Sequence, residues 1–169
     1  MVEENLQRFS DLAISMGAVD AKIIKADQIV VKKWVSWKCH FGCNSYNRSL
    51  MCPPYTPTPE ETQELLKEYE YALLFRHKPS ASKALVVELE RSIFLEGYPA
   101  ALGFASGSCH LCEKCNYEVG YCLKPFEARP SMESCGISVF DTASNSGYDI
   151  QVIKSKEQEY LRYGLILIK

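Results

Sequence analysis

An α+β fold is the class this sequence predicts: helices packed on a mixed sheet, with two cysteine-rich loops at one end. Three observations carry it. Helical and strand-like patterns alternate along 169 residues, with no repeat or linker to divide them. Apolar residues make up 47% of the chain, enough for the core of a single domain spanning residues 1–169. All eight cysteines fall in two short stretches, three in Cys39–Cys52 and five in Cys109–Cys135.

The elements follow in order. Leu6, Phe9, Leu12, Ala13 and Met16 have helical spacing, so a helix is expected over Glu4–Met16, stopped by Gly17. "AKIIKA" reads as a strand. "VVKKWVSWKC" is β-branched and aromatic and reads as a second strand running into the first cysteine loop. Pro53, Pro54, Pro57 and Pro59 forbid regular ladders over the later half of that loop. Thr58 then caps a helix, with Pro59 in its first turn and Glu60 and Glu61 at its positive end. "YEYALLFRH" reads as a buried strand.

Ser80 or Ser82 is expected to start a helix reaching about Glu96. Leu85, Val86, Leu89 and Ile93 share one face of it, Lys83, Glu88, Glu90 and Arg91 lie elsewhere, and Val87 and Phe94 are read as covered core. "PAALGFASG" is a strand delivering the chain into the second cysteine loop. "SMESCGISVFDTASNSG" is a helix capped by Ser131 and stopped near Gly147. "DIQVIK" and "YLRYGLILIK" close the sheet.

Charge excludes some classes of partner. The net charge of −2 and pI near 6.0 give no basic excess for nucleic acid or an anionic membrane. The acidic start lacks the pattern of a signal peptide, and the apolar runs are too short to span a bilayer, so a cytoplasmic protein is expected. In a reducing compartment, clustered cysteines are metal ligands or redox groups rather than a disulfide framework.

Cys109, Cys112 and Cys115 are spaced C-x2-C-x2-C, with Cys122 six residues further on. A [4Fe–4S] cubane needs one thiolate at each iron, and a tight loop can wrap three corners of it. Zinc more often takes two separate C-x2-C pairs. The first group is Cys39-x3-Cys43-x8-Cys52, followed by Pro53 and Pro54. Its start has the C-x3-C of the radical S-adenosylmethionine motif, but Tyr46 stands where the third cysteine would be. A Cys-Pro step does suit a cluster loop.

Eight thiols divide as four and four. The preferred partition puts Cys109, Cys112, Cys115 and Cys122 at one site, and Cys39, Cys43, Cys52 and Cys135 at the other. Cys135 is expected in the first turns of a helix, where the positive end favours a thiolate. A ferredoxin-like exchange of Cys52 and Cys122 is the alternative, as is one cluster plus one zinc. Residues Gln28 to Pro59 include no acid but hold Lys32, Lys33, Lys38 and Arg48, which suits an anionic cluster. His40 and His110 are read as neighbours rather than ligands, His77 as a surface residue, Trp34 and Trp37 as packing residues, and Tyr117 and Tyr121 as shields. No catalytic constellation and no phosphate-binding loop stands out.

Together, "CHFGCNSYNRSLMCPPYTPTPEET", "CHLCEKC" and "ARPSMESCGISVF" resemble a family of small, cysteine-rich predicted metal-binding proteins of unknown function from archaea and anaerobic bacteria. The resemblance runs from about Cys39 to Gly147. It implies that the eight cysteines, the double proline after Cys52 and the Arg-Pro-Ser-Met before Cys135 are shared. It implies metal binding, iron–sulfur or similar, and no established reaction.

Three functions compete on these grounds. The first is a redox protein with one or two [4Fe–4S] clusters, serving electron transfer or a partner enzyme. The second is a zinc-closed structural or regulatory module. The third is an enzyme using a cluster with an open iron corner. Substrate, partner and oligomeric state are not legible in the sequence.

Overall fold

The computed structural model describes residues 2–81 and 84–169, and only the backbone for 2–4. Its elements are α1 (Val2–Ser15), β1 (Asp20–Lys25), α2 (Lys33–Gly42), α3 (Pro59–Leu66), β2 (Tyr71–His77), α4 (Leu85–Leu95), β3 (Leu102–Phe104), α5 (Val139–Asn145) and β4 (Arg162–Leu167). The strands form one sheet in the order β1-β2-β4-β3. The α+β class is as expected, and the sheet is antiparallel at all three strand pairings rather than mixed.

Both faces of the sheet are covered. Alternation along β2 sends Leu73 and Phe75 to one core and Ala72 and Leu74 to the other. On the first face α1 contributes Leu6, Phe9 and Ala13, while α4 contributes Leu85, Val86, Leu89 and Ile93. On the second, Met132, Cys135, Ile137 and Ala143 pack against Leu165 and Leu167. Covered on both sides, β2 reads in sequence as a continuous apolar run. Among the described residues no helix is long and apolar enough to cross a membrane.

Several expectations are corrected. The stretch expected as a strand through Cys39 makes one bridge, Val31 with Ile137, and then becomes α2. A strand needs a neighbour for its ladder. With none alongside, the backbone bonds close locally, and Val35 turns inward. The expected helix over 131–147 is two pieces. A short 3-10 turn, Glu133–Cys135, ends at Gly136, whose φ is +81°. A Cβ there would lie 2.8 Å from Pro59 Cγ, so glycine is required for the close approach as well as the turn. Ser138, not Ser131, caps α5.

"DIQVIK" forms no strand. The helix α4 begins at Leu85 after Ala84, with no side-chain cap. Ser80 lies in the preceding turn, while Ser82 and Lys83 are outside the described residues. Phe94 is exposed and Val87 half-buried, so neither is covered core.

Close packing of β4 on β2 gives a test. A Cβ at Gly164 would collide with the ring of Phe75, which is itself fully buried. Gly164→Ala should destabilise the protein by about 1–3 kcal/mol. A urea titration that leaves the midpoint unmoved would contradict this packing.

Candidate metal centre

The helix α2 carries Cys39, and Cys43 follows as its C-cap. A succession of turns leads to Cys52, whose amide donates to the carbonyl of Ser49 at 3.0 Å. The chain then enters α3 through a capping box. Glu61 N–H donates to Thr58 Oγ1, and Thr58 N–H donates to Glu61 Oε2. From this segment two hydroxyls reach across the molecule. Thr56 Oγ1 donates to the carbonyl of Ser134 at 2.6 Å, and Thr62 Oγ1 to that of Cys135 at 2.7 Å. Lys32 N–H donates to the carbonyl of Gly136 at 2.9 Å. These bonds bring the turn that carries Cys135 against the segment that carries Cys39, Cys43 and Cys52.

The electrostatics connect the same four thiols, though not exclusively. Cys39 is raised to about 11, first by burial and then by the charges of Cys43, Cys52 and Glu133. Cys135 is raised to about 11 by burial, against a hydrogen bond from Ser134, with further pushes from Cys39, Cys52 and Glu133. Cys52 is raised by burial too, and it feels Cys43 as well as Cys109 and Cys115 of the other group. Cys135 is therefore not a helix-stabilised thiol. It ends a 3-10 turn, and its surroundings disfavour the free thiolate.

Glu133 is a neighbour that the sequence reading missed. Burial raises its pKa, and its Oε2 is buried without a hydrogen-bond partner among the described residues. The only signal was its place two residues before a cysteine.

The second group gathers in its own place. Cys109, Cys112, Cys115 and Cys122 line one cavity of about 20 Å³, closed by Ser49, Leu50 and Met51. Two backbone amides donate to its sulfurs: Leu50 N–H to Cys115 Sγ and Lys124 N–H to Cys122 Sγ, each at 3.4 Å. A bond from Ser45 Oγ to Ser108 Oγ, at 2.9 Å, joins the two loops nearby. The thiols of each group are thus gathered, but among the described residues no three His, Cys, Asp or Glu side chains converge tightly enough to hold a single ion.

The remaining candidates separate clearly. His40 is exposed and meets the rings of Phe41 and Tyr46 at a tilt, and His110 is exposed. His77 is not a surface residue: it is buried, and its Nε2 lies 3.0 Å from Ser106 Oγ. Trp34 and Trp37 are 45% and 66% exposed, so they do not pack into the core. Tyr117 is half-buried and approaches Tyr55, while Tyr121 is exposed. Of the basic residues near the first group, Lys33 pairs with Glu60 and Lys38 lies over the Trp34 ring.

A family described as predicted metal-binding protein (DUF2284) matches residues 22–168, which include all eight cysteines and every strand after the first residues of β1. The chain belongs to that family. Neither the curated proteins nor the solved structures offer a match. For a DUF2284 protein the donor set is telling: two groups of thiols, with the buried Glu133 carboxylate beside the first and no histidine drawn in among the described residues. Sulfur-only sites suit zinc, copper(I) or iron–sulfur groups and not hard cations.

Burial also ranks the thiols. In metal-free protein near pH 8, Cys39 and Cys135 should be the slowest to alkylate, because a thiol with pKa about 11 is only roughly 0.1% ionised there. Their rates should climb as pH rises towards 11. Peptide mass spectrometry after timed iodoacetamide treatment reads this, and early labelling of Cys135 would contradict the site as described.

Proposed function

We propose that the protein binds one or two [4Fe–4S] clusters and serves electron transfer, as a carrier or as a redox accessory to a partner enzyme. The observation that carries this reading is the arrangement of the thiols. Four line one cavity, four are linked by hydrogen bonding and mutual charge, and Cys52 feels members of both groups. In this reading Cys109, Cys112, Cys115 and Cys122 hold one cluster, and Cys39, Cys43, Cys52 and Cys135 the other. A cluster supplies one-electron chemistry when bound.

The protein's own residues support that role. Backbone amides on Cys115 and Cys122 would stabilise the ligated thiolates and tune the potential of the site. Burial at Cys39, Cys52 and Cys135 keeps the thiols protonated until metal displaces the proton, so loading would release protons. The two groups meet around Cys52, which suits electron movement between them. A redox partner would find exposed aromatics on α2, Trp37 and Phe41, within a stretch free of acids from Gln28 to Pro59. An acidic partner surface fits that face.

Anaerobic purification tests the reading. The protein should be brown, carry about four to eight irons with matching sulfide, and bleach on reduction. Colourless protein holding zinc without sulfide would replace it with the structural-module reading. Cys135→Ser should perturb the centre containing Cys39, and Cys115→Ser the other one. If each variant disturbs the opposite centre, the partition is wrong.

A further inference from the structure

A second cavity, of about 60 Å³, adjoins the second cysteine group and shares Cys109 and Leu111 with its lining. The sheet builds one wall. His77 ends β2 and Arg162 begins β4, and the two are direct antiparallel partners, so their side chains leave the same face. The chain leaving β3 builds the other wall with Ser106, Gly107 and Ser108.

Charge around the cavity is almost cancelled. The Arg129 guanidinium is held bidentately by Glu90, at 2.7 and 2.6 Å. Glu127 lies 3.6 Å from Lys124. Burial, with the nearby charge of Arg162, lowers the pKa of His77 and keeps it neutral at pH 7. Among the described residues the Arg162 guanidinium makes no ion pair or side-chain hydrogen bond, and it lines the space with the buried Glu133 carboxylate near enough to feel its charge.

The loop adds neutral donors. Among the described residues the amides of 106, 107 and 108 donate to no acceptor. Gly107 has a φ of +68°, and a Cβ on it would lie 3.7 Å from Arg162 Nη1. A run of free amides turned through a left-handed residue can form an anion-binding nest. Leu85 and Leu111 leave the rest of the wall apolar. The volume has room for roughly four to six water-sized groups, at about 10–15 Å³ each.

We propose that this cavity binds a small monocarboxylate, its carboxylate on Arg162 and the amides of 106–108, beside Cys109. The Arg162 guanidinium matches a carboxylate, and the apolar part of the wall takes a short carbon chain. A doubly charged phosphate would keep an uncompensated charge against that wall. The site is built by the protein alone and stands whether or not iron is bound at the cysteines.

Calorimetric titration of the full chain with sodium acetate tests it, with inorganic phosphate as the comparison and metal content measured separately. A ligand of this size should bind with a Kd of about 0.05–5 mM. Arg162→Gln should weaken acetate binding by about tenfold or more at an unchanged thermal midpoint. Arg162→Lys keeps the charge without the planar fork and should weaken it less. It provides the same comparison if the glutamine variant does not fold. No acetate binding up to roughly 10 mM, or unchanged affinity in a folded Arg162 variant, overturns the site. Phosphate binding tighter than acetate overturns the monocarboxylate assignment. Acetate binding to protein that lacks iron and sulfide would uphold the site while the redox reading falls.

Discussion

The bond from Thr62 Oγ1 to the carbonyl of Cys135 joins residues 73 positions apart, in the buried interior. Much of the candidate metal centre depends on it. A buried carbonyl needs a donor, and leaving it without one costs about 1–3 kcal/mol. Thr62 can supply that donor only if α3 starts where it does, which the Thr58–Pro59–Glu61 cap secures. The helix is held in turn through Leu65 and Leu66, packed against the second core. The position of Cys135 thus follows from a capped helix docked on a sheet, not from the loops on either side. The same docking requires Gly136, because Pro59 fills the space where a side chain would stand.

Much of the fold was legible in residue patterns. The stripe Leu6, Phe9, Ala13 became a buried helical face, and the capping box at Thr58 formed as its residues suggest. The run in β2 marked a strand covered on both sides. The failures share a cause. Val30, Val31 and the tryptophans look like strand residues, and Asp149–Lys154 does too, but whether a segment joins a sheet is decided by long-range pairing. Local composition does not carry that information. Nor does it reveal that Gly136 would divide one apparent helix into two pieces.

The site was legible in a different way. Spacing alone gathered Cys109, Cys112, Cys115 and Cys122, and those four line one cavity. Counting alone assigned Cys135 to the first group, and its neighbours in space are Cys39 and Cys52. The reason given for its suitability was mistaken. Burial and Glu133 raise its pKa, where a helix terminus would have lowered it. Glu133 and the buried state of His77 depend on long-range packing, and no local pattern encoded either one.

The sheet also explains why one end of the molecule carries so much chemistry. Antiparallel pairing sets the end of β2 beside the start of β4, so His77 and Arg162 arrive together, and β3 runs out alongside them into the loop that reaches Cys109. Positions at strand ends are held by the ladder more firmly than positions within a loop. The cysteines lie farther out, where turns from both loops meet and Leu50 N–H reaches Cys115. The cavity wall is thus set by the sheet, while the thiols depend on contacts between turns, where a bound ligand can add ordering energy.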